Sequence, residues 1–261
     1  MGDAVVRSEV RPDRVGVITL SRPERLNSIS TAVADAIMTA TAAFSADERV
    51  RAIVVAGEGK AFSAGADITE LSTLDGPAGF ARFVARLTDA FDHLAACPKP
   101  SVAALHGVAL GGGLELALAC DLRVAEEGTR LGVPEIKLGL LPGAAGTVRL
   151  PRMVPVPVAR RMLLTGEPIL ADEAQRLGLV SETVPVGASL ESALSVAAQL
   201  ATLPPLALAA AKRLLIDALA VPESVAIDRE RQTVSMLFGT QDRVEGLAAF
   251  LEKRPATFEG R

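Results

Sequence analysis

The stretch Val108-Ala109-Leu110-Gly111-Gly112-Gly113-Leu114-Glu115-Leu116-Ala117-Leu118-Ala119-Cys120-Asp121 decides how the rest of the chain is read. Three glycines lead into an apolar, Ala/Leu-rich run that reads as a buried helix, with one carboxylate, Glu115, in its first turn. Glycine lets the backbone approach a ligand closely, and the first turn of a helix presents unpaired N–H groups. The helix dipole suits those donors to an oxygen that carries or develops negative charge. Glu115 falls three residues after Gly112, which brings its side chain to the same helix end. Twenty residues on, Pro134-Glu135-Ile136 supplies a second carboxylate, ahead of the Gly/Pro-rich loop Gly139–Gly146. Backbone donors beside two carboxylates are the parts needed for acid/base chemistry next to a carbonyl. An unpaired charge inside an apolar helix is costly, so Glu115 is read as functional or ion-paired.

The totals narrow the class. A chain of 261 residues, 49% hydrophobic and 22% charged, buries a real core as one large domain or one domain with an appendage. Eight Phe and no Tyr or Trp leave few surfaces for stacking bases or sugars, which disfavours a paired-carboxylate glycosidase. The net charge of −4 gives no bulk attraction for nucleic acid or an anionic membrane, so an anionic substrate must meet a local basic patch. Two cysteines, Cys97 and Cys120, form neither a disulfide framework nor a zinc pattern. The segment Met1–Val10 has acidic residues and no apolar run, unlike a signal peptide. No stretch reaches the roughly 18–20 uncharged residues of a membrane span. The expectation is a reduced, soluble, cytoplasmic chain.

Outward from the central stretch, Val5–Val10 and Val15–Leu20 read as two strands joined at Arg11–Arg14. Ser30 or Thr31 caps a helix running to about Phe44, and Val50–Ala56 is a buried strand. The loop Gly57–Ile68 departs from three motifs. Val54 replaces the first glycine of a P-loop, and Phe62 replaces the third glycine of a dinucleotide fingerprint. Ala61 replaces the first glycine of a nucleophile elbow around Ser63, which would also need His93 or His106 as its base. A tight strand-to-helix turn is the simpler reading. Residues 79–96 form an amphipathic helix, Ser101–Leu105 and Leu122–Ala125 are strands, and 147–153, 157–164 and 170–177 are helical. After a last strand over 179–184 only helices remain, at about 190–202, 206–219, 222–237 and 241–252. The change at Leu203-Pro204-Pro205 divides the chain into 1–203, holding the active site, and a helical region, 204–261. Strand–helix alternation before it points to α/β architecture.

The ordered set Ala61–Ile68, Leu110–Glu115, Cys120-Asp121, Pro134–Gly143 and Phe250–Arg254 resembles the crotonase superfamily, and within it the enoyl-CoA hydratases, from the first strands to the last helix. The resemblance implies a crotonase-like (ClpP/crotonase) spiral of ββα units with a C-terminal helical trimerisation region. It implies an acyl-CoA substrate, homotrimers or homohexamers, a place in fatty acid and lipid metabolism, and neither metal nor a cofactor beyond the substrate's own coenzyme A. By that resemblance the amides of Ala66 and Gly112 form an oxyanion hole, Glu115 activates water, and Glu135 protonates the α-carbon. Arg25, Leu26, Lys60, Ala64, Ala66, Asp67, Ile68 and Gly112 would bind the CoA thioester, with Phe250 and Lys253 supplied by a neighbouring subunit. Lys253 would be the local cation that the acidic balance requires. Both glutamates favour hydration over double-bond isomerisation or another enolate reaction of the same fold. A serine thioester hydrolase using Ser63 and a non-catalytic CoA-binding subunit are the remaining readings. Ser63 and Leu114 occupy variable positions, and the short segment Leu71–Gly76 leaves acyl-chain preference open.

Overall fold

The computed structural model describes residues 4–261; Met1–Asp3, on which part of the N-terminal reading rests, lie outside the described residues. The chain opens with β1 (Val6–Val10), β2 (Val15–Leu20), α1 (Thr31–Ala46), β3 (Ala52–Gly57), α2 (Ile68–Leu71) and α3 (Gly76–Ala96). Then come β4 (Ser101–Leu105), β5 (Val108–Leu110), α4 (Gly112–Ala119), β6 (Leu122–Glu126) and β7 (Arg130–Gly132). A 3-10 turn at Pro134–Leu138 leads to α5 (Gly146–Met153), α6 (Val156–Thr165), β8 (Ile169–Leu170), α7 (Ala171–Arg176) and β9 (Glu182–Val184). The chain closes with α8 (Ser189–Ala201), α9 (Pro205–Ala218), α10 (Glu223–Phe238) and α11 (Gln241–Glu252).

Six strands form one sheet in the order β1-β2-β3-β4-β6-β9, antiparallel at the first pair and parallel beyond it. Buried on both faces, its central strands need continuous apolar sequence rather than alternation, which is what 50–56 and 101–105 supply. Val15, Val17, Val54, Val102 and Val124 face α8, whose Ala193, Ala197 and Ala201 let it lie close. Ile18, Leu20, Ile53, Val55 and Leu105 point the other way, toward Ile37 and Phe44 of α1 and Phe83, Leu87 and Phe91 of α3.

A second, three-stranded sheet, β5-β7-β8, continues as isolated bridges from Ser63 to Ala109 and from Ile29 to Ala66. Successive strand–strand–helix turns thus add to both sheets, a spiral that lays Ser63–Ala66 beside the entry to α4. The three strands of the second sheet and the four-residue α2 escape the sequence pattern, because two to four residues display no period. The strand expected over 179–184 is shortened to β9: Leu179 and Val180 are buried, but Leu179 bonds to Ala174 in a turn instead of a ladder.

The change to purely helical sequence at 203/204 falls between α8 and α9. No residue of α9 or α10 is fully buried, and Leu215, Leu219, Met236 and Phe238 are exposed. Lys212 of α9 ties this region back, with Nζ 2.8 Å from the Asp121 carboxylate and 3.2 Å from the Lys99 carbonyl. Among the described residues no single helix is long and apolar enough to cross a membrane.

Candidate active site

A cavity of about 230 Å³ lies where the two sheets meet the first turn of α4. Ala64, Gly65, Ala66, Gly111 and Gly112 line one side, and Phe80, Phe83, Val84 and Leu87 of α3 another. Leu138, Leu140, Leu141, Gly143 and Ala144 close it from the loop after the 3-10 turn. Among the described residues, the charged side chains on its wall are Glu115 and Glu135.

The wall at α4 is backbone. Gly111 precedes the helix at φ +52°, a conformation open to glycine, and its N–H is taken by the Gly132 carbonyl. Gly113 lies so close to Ser63 that a Cβ there would sit 2.6 Å from the Ser63 carbonyl oxygen. This contact draws residues 63–66 onto the helix end, where a Cβ on Gly112 would lie 3.5 Å from the Ala66 nitrogen. Among the described residues neither the Ala66 nor the Gly112 N–H donates to a protein acceptor. Two adjacent unpaired donors therefore face the cavity, one at a helix N-terminus.

The two carboxylates are held differently. Glu115, 3% exposed, accepts the Ala144 N–H at 2.7 Å and the Gly146 N–H at 2.8 Å, both on Oε1. Burial pushes its proton affinity above the ordinary carboxylate value; those amides and the Arg149 charge pull the other way. Glu135 stands on the 3-10 turn, where Pro134 starts the turn and Gly139 ends it in the left-handed region. Its Oε2 is buried with no hydrogen-bond partner. Burial, reinforced by the charge of Glu115, raises its carboxyl to about 7. One carboxylate is thus supplied with two amides from the facing loop while the other leaves Oε2 unpaired, an arrangement that can set an acid apart from a base.

The far end of α4 is secured by a cation. Arg123, buried in β6, donates Nη1 to the carbonyls of Ala117 (3.3 Å) and Cys120 (2.8 Å). Its Nε reaches the Leu179 carbonyl at 2.5 Å. A guanidinium on the last carbonyls of a helix complements its negative end.

The structure brings Glu115, Glu135, Ala64, Ala66, Ile68 and Gly112 to one cavity. Asp67 is adjacent, but its carboxylate caps α2 and pairs with Arg22 at 2.8 Å. Arg25, Leu26 and Lys60 are exposed and outside the cavity wall; the Leu26 carbonyl, accepting the Ala64 N–H at 2.9 Å, places that turn alongside. Phe250, 80% exposed, and Lys253, in the left-handed region after α11, do not line it within this chain. Ser63 is fully buried and donates its hydroxyl to the Asn27 carbonyl at 2.8 Å, while His106 contacts the Gly59 carbonyl and His93 is exposed. Among the described residues no Ser–His pair forms. Sequence reasoning missed the Ala144 and Gly146 amides and the α3 wall. The cue for the first was the glycine-rich loop itself; the second was hidden because a cavity wall shows the same apolar period as a core helix.

The profile of the enoyl-CoA hydratase/isomerase family matches residues 11–261. The chain is 41% identical over 255 residues to 2,3-dehydroadipyl-CoA hydratase of Escherichia coli (strain K12), covering 96% of this chain and 97% of that one. It is 39% identical over 245 residues to the mitochondrial enoyl-CoA hydratase of Pongo abelii, covering 94% and 83%. The fold superposes on the enoyl-CoA hydratase of Bacillus anthracis with a TM-score of 0.95 at 34% identity, covering 98% of this chain and 100% of that one.

Proposed function

Because the chain belongs to the enoyl-CoA hydratase/isomerase family, we propose that it adds water syn across a trans-2-enoyl-CoA to give a 3-hydroxyacyl-CoA. The thioester oxygen lies between the N–H groups of Ala66 and Gly112. Water bound at Glu115 passes a proton to that carboxylate as its oxygen bonds to the β-carbon. The double-bond electrons move onto the thioester oxygen as an enolate, which the two amides stabilise without rearranging. Glu135, protonated at the start, then delivers its proton to the α-carbon.

The observation that carries this reading is the unequal pair: Glu115 fed by two amides, Glu135 with a partnerless Oε2, on one apolar cavity. A serine hydrolase has no support, since the Ser63 hydroxyl is engaged by backbone. Coenzyme A enters as part of the substrate, and the residues need no further cofactor. We carry over from the family the binding of CoA along Arg25, Leu26 and Lys60–Ile68. We carry over also Phe250 and Lys253 from a neighbouring subunit of a trimer or hexamer, assembled through 204–261, in the cytoplasm. The exposed apolar residues of α9–α11 are consistent with such contacts.

The test is hydration of crotonyl-CoA, followed as loss of the enoyl-thioester absorbance. Wild type is expected to turn over, and Glu115→Gln and Glu135→Gln each to lose about 10²–10⁴ in kcat. Turnover indifferent to both changes would falsify the assignment, and conversion of a 3-enoyl-CoA without hydration would move it to isomerisation.

A further inference from the structure

We propose that Asp92 and Arg149 form a latch that holds the Gly143–Gly146 loop on Glu115, making both positioning residues for the base. The inference rests on the hydratase reading of Glu115. Three residues spaced four apart on α3 make one stripe toward that loop. Val84 packs beneath Gly143, where an added Cβ would lie 3.0 Å from its Cγ1. The Thr88 hydroxyl lies 3.3 Å from the Gly143 carbonyl, its proton shared with the Val84 carbonyl at 2.9 Å. One turn further, the Asp92 carboxylate takes Nη2 of Arg149 at 2.7 Å. Arg149 belongs to the first turn of α5, three residues after Gly146, whose N–H donates to Glu115. Pulling on Arg149 therefore pulls on the helix end that carries the clamp.

The loop needs holding. Ala145, between the two donating amides, sits at φ +76°, a left-handed conformation that is strained for a residue with a Cβ. Nothing in the local sequence favours it over relaxation, so tertiary contacts must impose it. Arg149 is also more than an anchor: its Nη1 is buried without a hydrogen-bond partner, and its charge lowers the proton affinity of Glu115. The charged groups facing Glu115 are Glu135 from the 3-10 turn and Arg149 from α5; what α3 and β5 bring to the cavity is apolar.

The experiment joins crotonyl-CoA kinetics to a substrate-free readout, the ¹³C-carboxyl titration of Glu115. Arg149→Met is expected to lower kcat about 10²-fold, the scale of a misplaced catalytic group. Asp92→Ala removes a half-exposed pair and is expected to lower kcat about fivefold, with KM within about twofold. In both variants Glu115 titrates at higher pH than in wild type. Asp92→Asn keeps one acceptor oxygen and recovers part of the loss. Asp92→Ala/Ala145→Gly, in which the left-handed turn is unstrained, recovers it further. Lowered Tm with kcat and the Glu115 titration unchanged would overturn the latch. If Arg149→Met does not fold, the exposed Asp92 variants decide. Wild type failing to hydrate any 2-enoyl-CoA would defeat the hydratase reading instead, while the titration still judges the latch.

Discussion

The α4–α5 junction and the 3-10 turn each present one glutamate to the same cavity, and they solve the problem of a buried carboxylate in opposite ways. At the junction two backbone amides converge on Glu115 Oε1 and oppose the burial that raises its carboxyl in a site that is 3% exposed. At the turn, Glu135 Oε2 receives nothing, and the neutral form is retained up to about 7. Two glutamates of the same type are thus set apart by the backbone donors that each one meets. The pair titrates as a unit, and the donors bias which member keeps the proton.

Two glycines allow that contrast to be attacked symmetrically. A Cβ at Gly146 would stand 2.9 Å from Glu115 Oε1 and 2.7 Å from Pro142 Cβ, with no slack because Oε1 is fixed by both amides. A Cβ at Gly111 would stand 2.8 Å from Glu135 Oε1, the end of a flexible side chain whose other oxygen is unbonded. Gly146→Ala is therefore expected to cost about 10²–10³ in kcat, as when a preorganised donor is lost. Gly111→Ala is expected to cost less in kcat, despite about 1 kcal/mol of stability from its positive φ. Equal losses in crotonyl-CoA hydration would show that the two carboxylates are held with the same rigidity.

The second test is pH. Burial raises Glu135 from 4.5 to about 7, so the folded state prefers it protonated. Its stabilising effect is complete below the unfolded value and is lost as pH climbs from 4.5 to 7. Glu135→Gln should then gain up to about 3 kcal/mol over wild type in urea unfolding at pH 8 relative to pH 4. Activity should fall on the alkaline side through about 7, as the acid loses its proton. Glu115→Gln, which removes the neighbouring negative charge, should shift the Glu135 titration downward. A Glu135 that titrates identically with and without Glu115 would show that the two regions do not sense each other.

The smallest effect is expected outside both regions. Ser63→Ala removes the buried hydroxyl's bond to the Asn27 carbonyl and its acceptance of the Gly65 N–H at 3.3 Å, about 1–2 kcal/mol of stability, and leaves kcat within about threefold. A collapse of activity would mean that a third group shares the chemistry.

Much of this was legible from residues alone. The strands over 15–20 and 101–105 announced themselves by unbroken apolar runs, and α4 by glycines leading into leucine and alanine. Glu115 was conspicuous because it is the one charge inside that helix. Glu135 was found as a carboxylate beside a glycine- and proline-rich loop, but nothing local reveals that its Oε2 is left unpaired, since that depends on what the fold withholds. Ala144 and Gly146 were hidden for the complementary reason: they act through N–H groups, which every residue but proline possesses. Phe80, Phe83 and Leu87 were legible as a helix face, yet whether such a face meets core or cavity is decided by elements distant in the chain.

The Arg123 guanidinium has a bearing on how the enzyme fluctuates. At eight residues α4 is well short of the roughly 12–15 that let a helix persist unaided. Its last carbonyls are gathered by a side chain from β6 that simultaneously grips Leu179, 56 positions further along. The helix therefore has no opening of its own: to fray, it must take β6 and the turn after α7 with it. Amide exchange across Leu116–Ala119 then belongs to the slowest cooperative unit of the molecule, and the end of α4 that borders the cavity is as durable as the fold itself.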